Sequence, residues 1–409
     1  MRPWSLPLAL AAALGALSLA GTAHAATYEV CLRIPVNVTD ETGTAGELGT
    51  DGNWIARGIY VERVRAPNGA LIAGFPLYAS ASTGCFTFSS SQSGEFDITI
   101  QSRGQVVSSN TITVRNSDGQ IVRYTASFDL EAGTHAYVWP NEYIMPRVYA
   151  VYAYSIQSGF RGGYSGVDLS VWLDRDSPCG TQCNSTCSVG GDSHIKLCDG
   201  ANARRFLMTH EYGHANLRQT SSAFNNDCSY TSPGDASGHQ MRGLEFDSCA
   251  GMEGWANFVA AAVWNDRSGG GDDTDAWLRY WGDNNGLVPA EGEVGGCWND
   301  YSDGGGDYIR AFADTCFGNP DMSDINDANC AGGECIGYGN ELDWMRTWWD
   351  LHTDRDLPGD PLSASSLQSL VSSTGGWGDT QFWNELDAAA SGTLGQRVQQ
   401  AGDWNGTSD

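Results

Sequence analysis

The segment LMTHEYGHANL, residues 207–217, contains two histidines four positions apart, with a glutamate directly after the first. On an α-helix, residues i and i+4 lie on one face one turn apart, so His210 and His214 can offer ring nitrogens to the same metal ion. Glu211 lies about 100° further around such a helix, where its carboxylate reaches a water on the metal more easily than the metal itself. Apolar spacing in the flanking residues favours a helix. The pattern predicts a metal-binding helix, and the alternative is a pair of solvated or core histidines.

A third ligand is needed, because a catalytic zinc usually takes three protein ligands and leaves a fourth position for water. A third histidine six residues after the second is excluded, since that position is Thr220. Glu253 is favoured because it begins a long apolar run with helical spacing, CAGMEGWANFVAAAVW, where a buried carboxylate needs a partner such as a metal. The alternative for Glu253 is a place in a first helical turn, where the helix dipole favours acids. The full set of candidates is Asp227, Asp235, His239, Glu245, Asp247 and Glu253.

The segments HEYGH (210–214) and EGWANF (253–258) together resemble the gluzincin metallopeptidases. In that family a second helix supplies a glutamate, often as Glu-Gly-x-Ala followed by a polar and an aromatic residue, and bacterial collagenases and their relatives show this form. The resemblance covers about residues 165–265. It implies that His210, His214 and Glu253 bind one catalytic zinc and that Glu211 is the general base.

Asn257 departs from the family pattern. Many gluzincins have an acid one turn after the glutamate ligand, and its bond to a ligand histidine fixes the tautomer and ring plane. An amide can still orient the ring through its oxygen, but it brings no negative charge. Gluzincins also use a tyrosine or histidine to stabilise the oxyanion, and spacing does not choose among Tyr230, His239, Tyr308 and Tyr338.

The implied activity is that of an endopeptidase acting on protein or peptide substrates. Zinc would activate a water and polarise the scissile carbonyl, and Glu211 would move the proton. Two alternatives stay open: an inactive metallopeptidase fold that serves in binding or adhesion, and a zinc hydrolase of non-peptide amides. An intact Glu211 argues against the inactive fold, since a scaffold has no need of the base.

Residues 1–25 have a basic residue, an apolar core and an Ala-His-Ala exit, which together predict a secretory signal peptide. A retained anchor is the alternative, but the apolar run is short for a membrane span. No later stretch is long and apolar enough to cross a membrane. The mature chain is therefore expected to be secreted.

Cysteine use agrees with export, because all 12 cysteines follow residue 25 and an even number favours disulfides. Cys31 and Cys85 are the only two before residue 170 and are expected to pair. Close spacing suggests three more pairs: Cys228 with Cys249, Cys297 with Cys316, and Cys330 with Cys335. The remaining four could ligate a structural zinc, but disulfides are favoured in an oxidising compartment; they are Cys179, Cys183, Cys187 and Cys198.

The formal net charge is −27, and Lys196 is the sole lysine. Nucleic acid is therefore not expected as a partner, because phosphate binding needs clustered Lys and Arg. Acidic, glycine-rich stretches such as DRSGGGDDTDAW could hold Ca²⁺, but none has EF-hand spacing, and a solvated loop is the favoured interpretation.

The expected fold class is α+β, with an N-terminal all-β, sandwich-like domain followed by a zincin-type metallopeptidase domain. Residues 26–140 are rich in β-formers separated by Gly, Asn, Asp and Ser, which predicts a β-sandwich. Residues 141–409 are assigned to the metallopeptidase domain. Its expected order is a helix in YIMPRVYAVYAYSIQSGF, strands in VDLSVWLDRD and SHIKLC, the His210 helix and the Glu253 helix.

Overall fold

The structure is a computed structural model, and it describes the following residues: 25–34, 54–107, 110–139, 151–152, 155–156, 158–159, 168–173, 187–189, 194–197, 205–220, 245–264, 338–339, 341–353, 357–374 and 382–405. Within them the chain is a mixture of strands and helices, which confirms the mixed α and β content expected from the sequence. The predicted signal peptide lies outside this part of the chain, apart from Ala25.

The strands of the described residues are β1 Ala26–Ile34, β2 Trp54–Ile55, β3 Ile59–Arg65, β4 Leu77–Tyr78, β5 Cys85–Ser90, β6 Gly94–Val107, β7 Asn110–Arg115, β8 Arg123–Leu130, β9 Gly133–Val138, β10 Leu169–Leu173, β11 Cys187–Val189, β12 His194–Leu197, β13 Glu245–Phe246 and β14 Tyr338–Gly339. The helices are α1 Arg205–Thr220, α2 Asp247–Trp264, α3 Glu341–Thr353, α4 Ala364–Ser373, α5 Phe382–Ala389 and α6 Gly392–Asn405.

The first sheet is built around β1, which pairs antiparallel with β5 and β2 and parallel with β9. Cys31 and Cys85 are directly opposite each other in the β1–β5 register and form a disulfide, as predicted. Cys249 is also disulfide-bonded, while its predicted partner Cys228 lies outside the described residues. The other predicted pairings also involve residues outside the described part.

The second sheet runs in the order β11-β12-β10-β7-β6-β3-β4, with β8 also paired to β6. Strands β10 and β12 are the two strands predicted before the His210 helix. Strand β10 pairs in parallel with β7, so this sheet continues across residue 140. Strands from both sides of the predicted domain boundary thus share one hydrogen-bonded sheet, and the division at that residue stays a prediction.

Aromatic side chains join the two sheets. Tyr28 of β1 stacks on Phe88 of β5 at a centroid distance of 5.2 Å, and both rings contact Phe96 of β6 in the other sheet, at 5.2 and 5.5 Å. All three side chains are buried. Alternating burial along β5 and β7 places the apolar side chains on one face, as expected for strands that cover a core.

Residues 151–152, 155–156 and 158–159 are helical and fall within the predicted helix YIMPRVYAVYAYSIQSGF. The Tyr152 hydroxyl donates to the Arg57 carbonyl at 2.6 Å, and Ser158 shares a 2.9 Å hydrogen bond with Thr209 of α1. These bonds connect the N-terminal strands to the helix that carries the metal motif. Within the described residues, no helix has both the length and the apolarity needed to cross a membrane.

Candidate metal centre

Helix α2 is the centre of the helical layer and is buried along almost its whole length, from Ser248 to Val263. It packs against α1 on one side and α3 on the other. A helix that is apolar on all sides is stable only when it is surrounded. The sequence of α2 is therefore suited to a place between two other helices.

Small residues allow α1 and α2 to approach closely. A β-carbon added to Gly213 would lie 2.8 Å from the Cα of Ala256 and 3.3 Å from its Cβ. Gly213 has no room for a larger residue, because the obstacle is the backbone of α2. The glycine of HEYGH and the alanine of EGWANF are thus the contact point of the two helices.

Gly254 has the same role toward α3. A β-carbon there would lie 2.3 Å from the Trp344 Cβ and 2.8 Å from the Glu341 carbonyl oxygen. The Gly-x-Ala part of the motif therefore has a packing explanation: α3 packs against α2 at Gly254, and α1 packs against α2 at Ala256. The Glu253 and Asn257 side chains extend from the same helix and are buried.

The close packing brings His210, His214 and Glu253 together. The two histidine Nε2 atoms are 3.1 Å apart, and the Glu253 Oε2 lies 3.0 Å from the Nε2 of His214 and 3.2 Å from that of His210. All three side chains are more than nine-tenths buried. Within the described part of the chain, these are the residues whose donor atoms converge closely enough to hold a metal ion.

The donor set fits a metal. In a tetrahedral site with metal–ligand distances of about 2.0–2.2 Å, neighbouring ligand atoms are about 3.3–3.6 Å apart, and the three separations here approach those values. A carboxylate only accepts hydrogen bonds, so without a metal this arrangement needs a proton on at least one of the two facing histidine nitrogens. A divalent cation satisfies all three atoms at once. The structure therefore contains a site that could hold a metal.

The electrostatics of the site also favour a cation. Burial by itself would lower the pKa of His210, but the hydrogen bond to Glu253 and the charges of Glu253, Glu211 and Glu341 outweigh it, and the pKa is raised. Burial would likewise raise the pKa of Glu253, but the two histidines outweigh it and hold this pKa well below its usual range. The carboxylates around His210 therefore favour a positive charge at this buried site.

A second carboxylate lies behind His210. The His210 Nδ1 is 2.7 Å from the Oδ1 of Asn257, and the Asn257 Nδ2 donates to the Oε2 of Glu341 at 3.0 Å. Glu341 is the first residue of α3 and is buried. Asn257 stands where many gluzincins have an acid, and here the acid, Glu341, lies one hydrogen bond further from His210.

Glu341 is not among the site residues that the sequence predicted. A signal was available, because Glu341 is an acid that begins a tryptophan-rich helix. Glu253 itself was expected to begin its helix, but it is the seventh residue of α2, which starts at Asp247, so a place in the first helical turn is also excluded. The argument that such an acid needs a buried partner applies to both residues.

Glu211 lies on α1 beside His210 and is buried, and its charge contributes to the raised pKa of His210. Its carboxylate is not among the three converging donors, and its role as general base stays a prediction. Among the other ligand candidates, Asp227, Asp235 and His239 lie outside the described residues, Glu245 is in β13, and Asp247 begins α2. The oxyanion candidates Tyr230 and Tyr308 are also outside, and Tyr338 is in β14. The acidic stretches considered for Ca²⁺ begin after α2 and lie outside as well.

Comparison with known proteins gives one family match. Residues 169–285 match the model of the mycolysin C-terminal domain. That segment is less than half of the chain, and it contains α1 and α2 with all three converging residues. The match supports a metallopeptidase context. No curated protein and no solved structure matches the chain.

Proposed function

We propose that this chain is a secreted, zinc-dependent endopeptidase of the gluzincin type. One observation carries the proposal: two imidazole nitrogens and one carboxylate oxygen lie within 3.2 Å of one another in a buried place, with Glu211 on the same helix as both histidines. Two histidines and one carboxylate are a known ligand set of catalytic zinc. The mycolysin match over residues 169–285 supports a peptidase.

The roles follow from the chemistry of each side chain. His210, His214 and Glu253 would hold the zinc. When bound, zinc supplies a Lewis acid that polarises a carbonyl and lowers the pKa of a water. Glu211 takes a proton from the attacking water and passes it to the leaving amine. Asn257 holds the ring of His210 at Nδ1, which leaves Nε2 to bind the zinc.

The proposed architecture is a zincin-type domain built on α1, α2 and the strands before them, with an N-terminal sandwich-like region. The two sheets joined by Tyr28, Phe88 and Phe96 support the sandwich part. Secretion is supported by the signal-like residues 1–25 and by the Cys31–Cys85 disulfide.

Metal analysis combined with protein cleavage tests the proposal. The chain without residues 1–25 is purified, its zinc content is measured, and it is incubated with casein and with a peptide library. We expect one zinc per chain and internal peptide-bond cleavage that a chelator stops and added zinc restores. Protein without zinc, and without activity on zinc addition, would overturn the proposal.

The same experiment separates the alternatives. A zinc-loaded chain that cleaves no peptide under any condition would favour the inactive binding protein, and cleavage of small amides but not of peptides would favour the non-peptide hydrolase. The control is Glu211→Gln, which keeps the size of the side chain and removes the base. If the native chain cleaved peptides no faster than Glu211→Gln, the cleavage would come from a contaminating protease.

A further inference from the structure

The hydrogen bonds behind His210 form a chain that joins three helices. His210 is on α1, Asn257 on α2 and Glu341 on α3, and the two hydrogen bonds are 2.7 and 3.0 Å long. All three side chains are buried, with 5 %, 1 % and 2 % of their surface exposed. A connected set of buried polar groups at this spacing fixes the orientation of each member.

The chemistry of Glu341 determines which way the Asn257 amide faces. A carboxylate only accepts hydrogen bonds, so the Asn257 NH₂ group must face Glu341 and the amide oxygen must face His210. The amide oxygen also only accepts, so the Nδ1 of His210 must carry the proton. The lone pair of neutral His210 is then on Nε2, which is the atom that faces His214 and Glu253.

Without Glu341, neither the orientation of the Asn257 amide nor the tautomer of His210 would be fixed. The Asn257 amide has nearly the same shape after a flip, and a flipped amide would donate to Nδ1 and require the opposite tautomer. That tautomer carries its proton on Nε2 and cannot bind a metal through it. A metal-binding histidine usually has such a partner behind it, and here an amide alone would be ambiguous.

We propose that Glu341 is a positioning residue for the metal site, which acts through Asn257 to hold His210 in the tautomer that binds metal and which supplies the negative charge that the amide lacks. The proposal rests on the proposed function only in its metal site and does not require peptide cleavage. Gly254 makes it sterically feasible, because a glycine there lets the first turn of α3 approach α2.

Three variants, one of them a control, test the proposal through the zinc affinity of the metal-free protein, measured by competition with a chelating dye. Glu341→Ala removes both charge and acceptor and should weaken zinc binding by about 10–100-fold. Glu341→Gln keeps an acceptor oxygen and should weaken it less. The control is Thr353→Val, since Thr353 is also buried on α3, and among the described residues its hydroxyl bonds to the Trp349 carbonyl of the same helix. Thr353→Val should leave zinc affinity unchanged.

A charge-relocation pair gives the sharpest result. Asn257→Asp alone sets two carboxylates against each other, about 3 Å apart, and should lower stability and disturb the site. Asn257→Asp with Glu341→Gln moves the single negative charge next to His210, and the glutamine can donate to it. The double variant should therefore be more stable than Asn257→Asp and should bind zinc at least as tightly as Glu341→Gln.

A second measurement does not depend on zinc. The ¹⁵N shifts of the His210 ring in the metal-free protein, at a pH where the ring is neutral, should report a proton on Nδ1 in the native chain and a mixture of tautomers in Glu341→Ala. Equal zinc affinities and equal ring shifts in native protein, Glu341→Gln and Glu341→Ala would overturn the proposal while leaving the proposed function intact. A native chain that binds no zinc but shows the shift difference would overturn the proposed function and keep Glu341 as the residue that orders His210.

Discussion

Gly213 of α1 and Ala256 of α2 are in such close contact that a β-carbon on Gly213 would lie 2.8 Å from the Ala256 Cα. The contact lies within one helical turn of both His210 and Asn257, whose side chains bond each other. The spacing of the two helix backbones therefore sets the spacing of the site. Small residues in the motif are needed for geometry, although they take no part in the chemistry.

Gly213→Ala should destabilise the protein, even though alanine is the better helix former. The added methyl group must push α1 and α2 apart, and overpacking of this kind costs about 1–3 kcal/mol, more than the roughly 1 kcal/mol that alanine contributes to a helix. Unfolding by urea of the metal-free protein measures the change. Zinc affinity should fall in parallel because the donor atoms separate.

Gly395→Ala is the matched control for that substitution. Gly395 is in helix α6, and a β-carbon there would meet its nearest atom, the Ala390 carbonyl oxygen, at an ordinary 3.4 Å. This variant should be neutral or slightly stabilising, by up to about 1 kcal/mol. If Gly213→Ala and Gly395→Ala behaved alike, the close contact between α1 and α2 would not limit the site.

Sequence patterns within single segments predicted the helices that carry the site. The four-residue spacing of His210 and His214 placed them on one helix, and the apolar run around Glu253 predicted the second helix, as the structure has them. The elimination that paired Cys31 with Cys85 was also confirmed. The structure brings the two histidines and Glu253 together, while their role as metal ligands stays a prediction.

Contacts between distant segments could not be predicted in the same way. The parallel pairing of β7 with β10 joins residues on both sides of the expected boundary at 140, and nothing in either strand specifies its partner. Glu341 is 84 residues from Asn257, and its contact depends on how α3 packs on α2 through Gly254. Periodicity describes one element at a time, whereas such contacts depend on the tertiary arrangement.

The metal-free protein should be most stable in a mildly acidic range. The pKa of His210 is raised above 6.5, so its contribution is complete below about that pH and is lost as the pH rises through the folded-state value. The pKa of Glu253 is lowered from 4.5, so its contribution is present above about that pH and is lost as the pH falls further. Both contributions are present between these values.

Bound zinc should reverse the dependence of stability on pH, because protons compete with the metal for the same atoms. Melting temperatures with chelator and with zinc, measured from about pH 5 to about pH 8, test both statements. The stabilisation by zinc should grow as the pH rises. A melting temperature of the chelated protein that increased steadily over this range would contradict the charge balance assigned to His210 and Glu253.

Glu211→Gln should separate catalysis from metal binding. Glu211 is buried beside His210 but does not converge with the three donor atoms, so the variant should keep its zinc. Loss of the base should lower kcat by about 10²–10⁴ with little change in KM. Zinc analysis and peptide hydrolysis on the same preparation give both quantities. Turnover close to that of the native chain would show that Glu211 is not the base.

Glu253→Ala tests the choice of the third ligand. Glu253 has its Oε2 within 3.2 Å of both histidine Nε2 atoms, and its removal should empty the site at zinc concentrations where the native chain is saturated. Asn257 contacts His210 at Nδ1, the nitrogen that does not face Glu253. The Asn257→Ala variant should therefore retain part of its zinc, because losing such a partner typically costs about 10–100-fold in affinity. The protein should stay folded in both cases, since disulfides such as Cys31–Cys85 restrain the metal-free chain.

The comparison set for Glu253→Ala consists of alanine at each of the other candidates, which are Asp227, Asp235, His239, Glu245 and Asp247. Each of these variants should hold as much zinc as the native chain after dialysis against the same weak chelator, because the two histidines and Glu253 already supply the three protein ligands of an open zinc site. Circular dichroism of every sample separates metal loss from unfolding. If one of the five emptied the site while Glu253→Ala retained its zinc, the gluzincin assignment would be wrong, and a zinc site with a different third ligand on His210 and His214 would replace it.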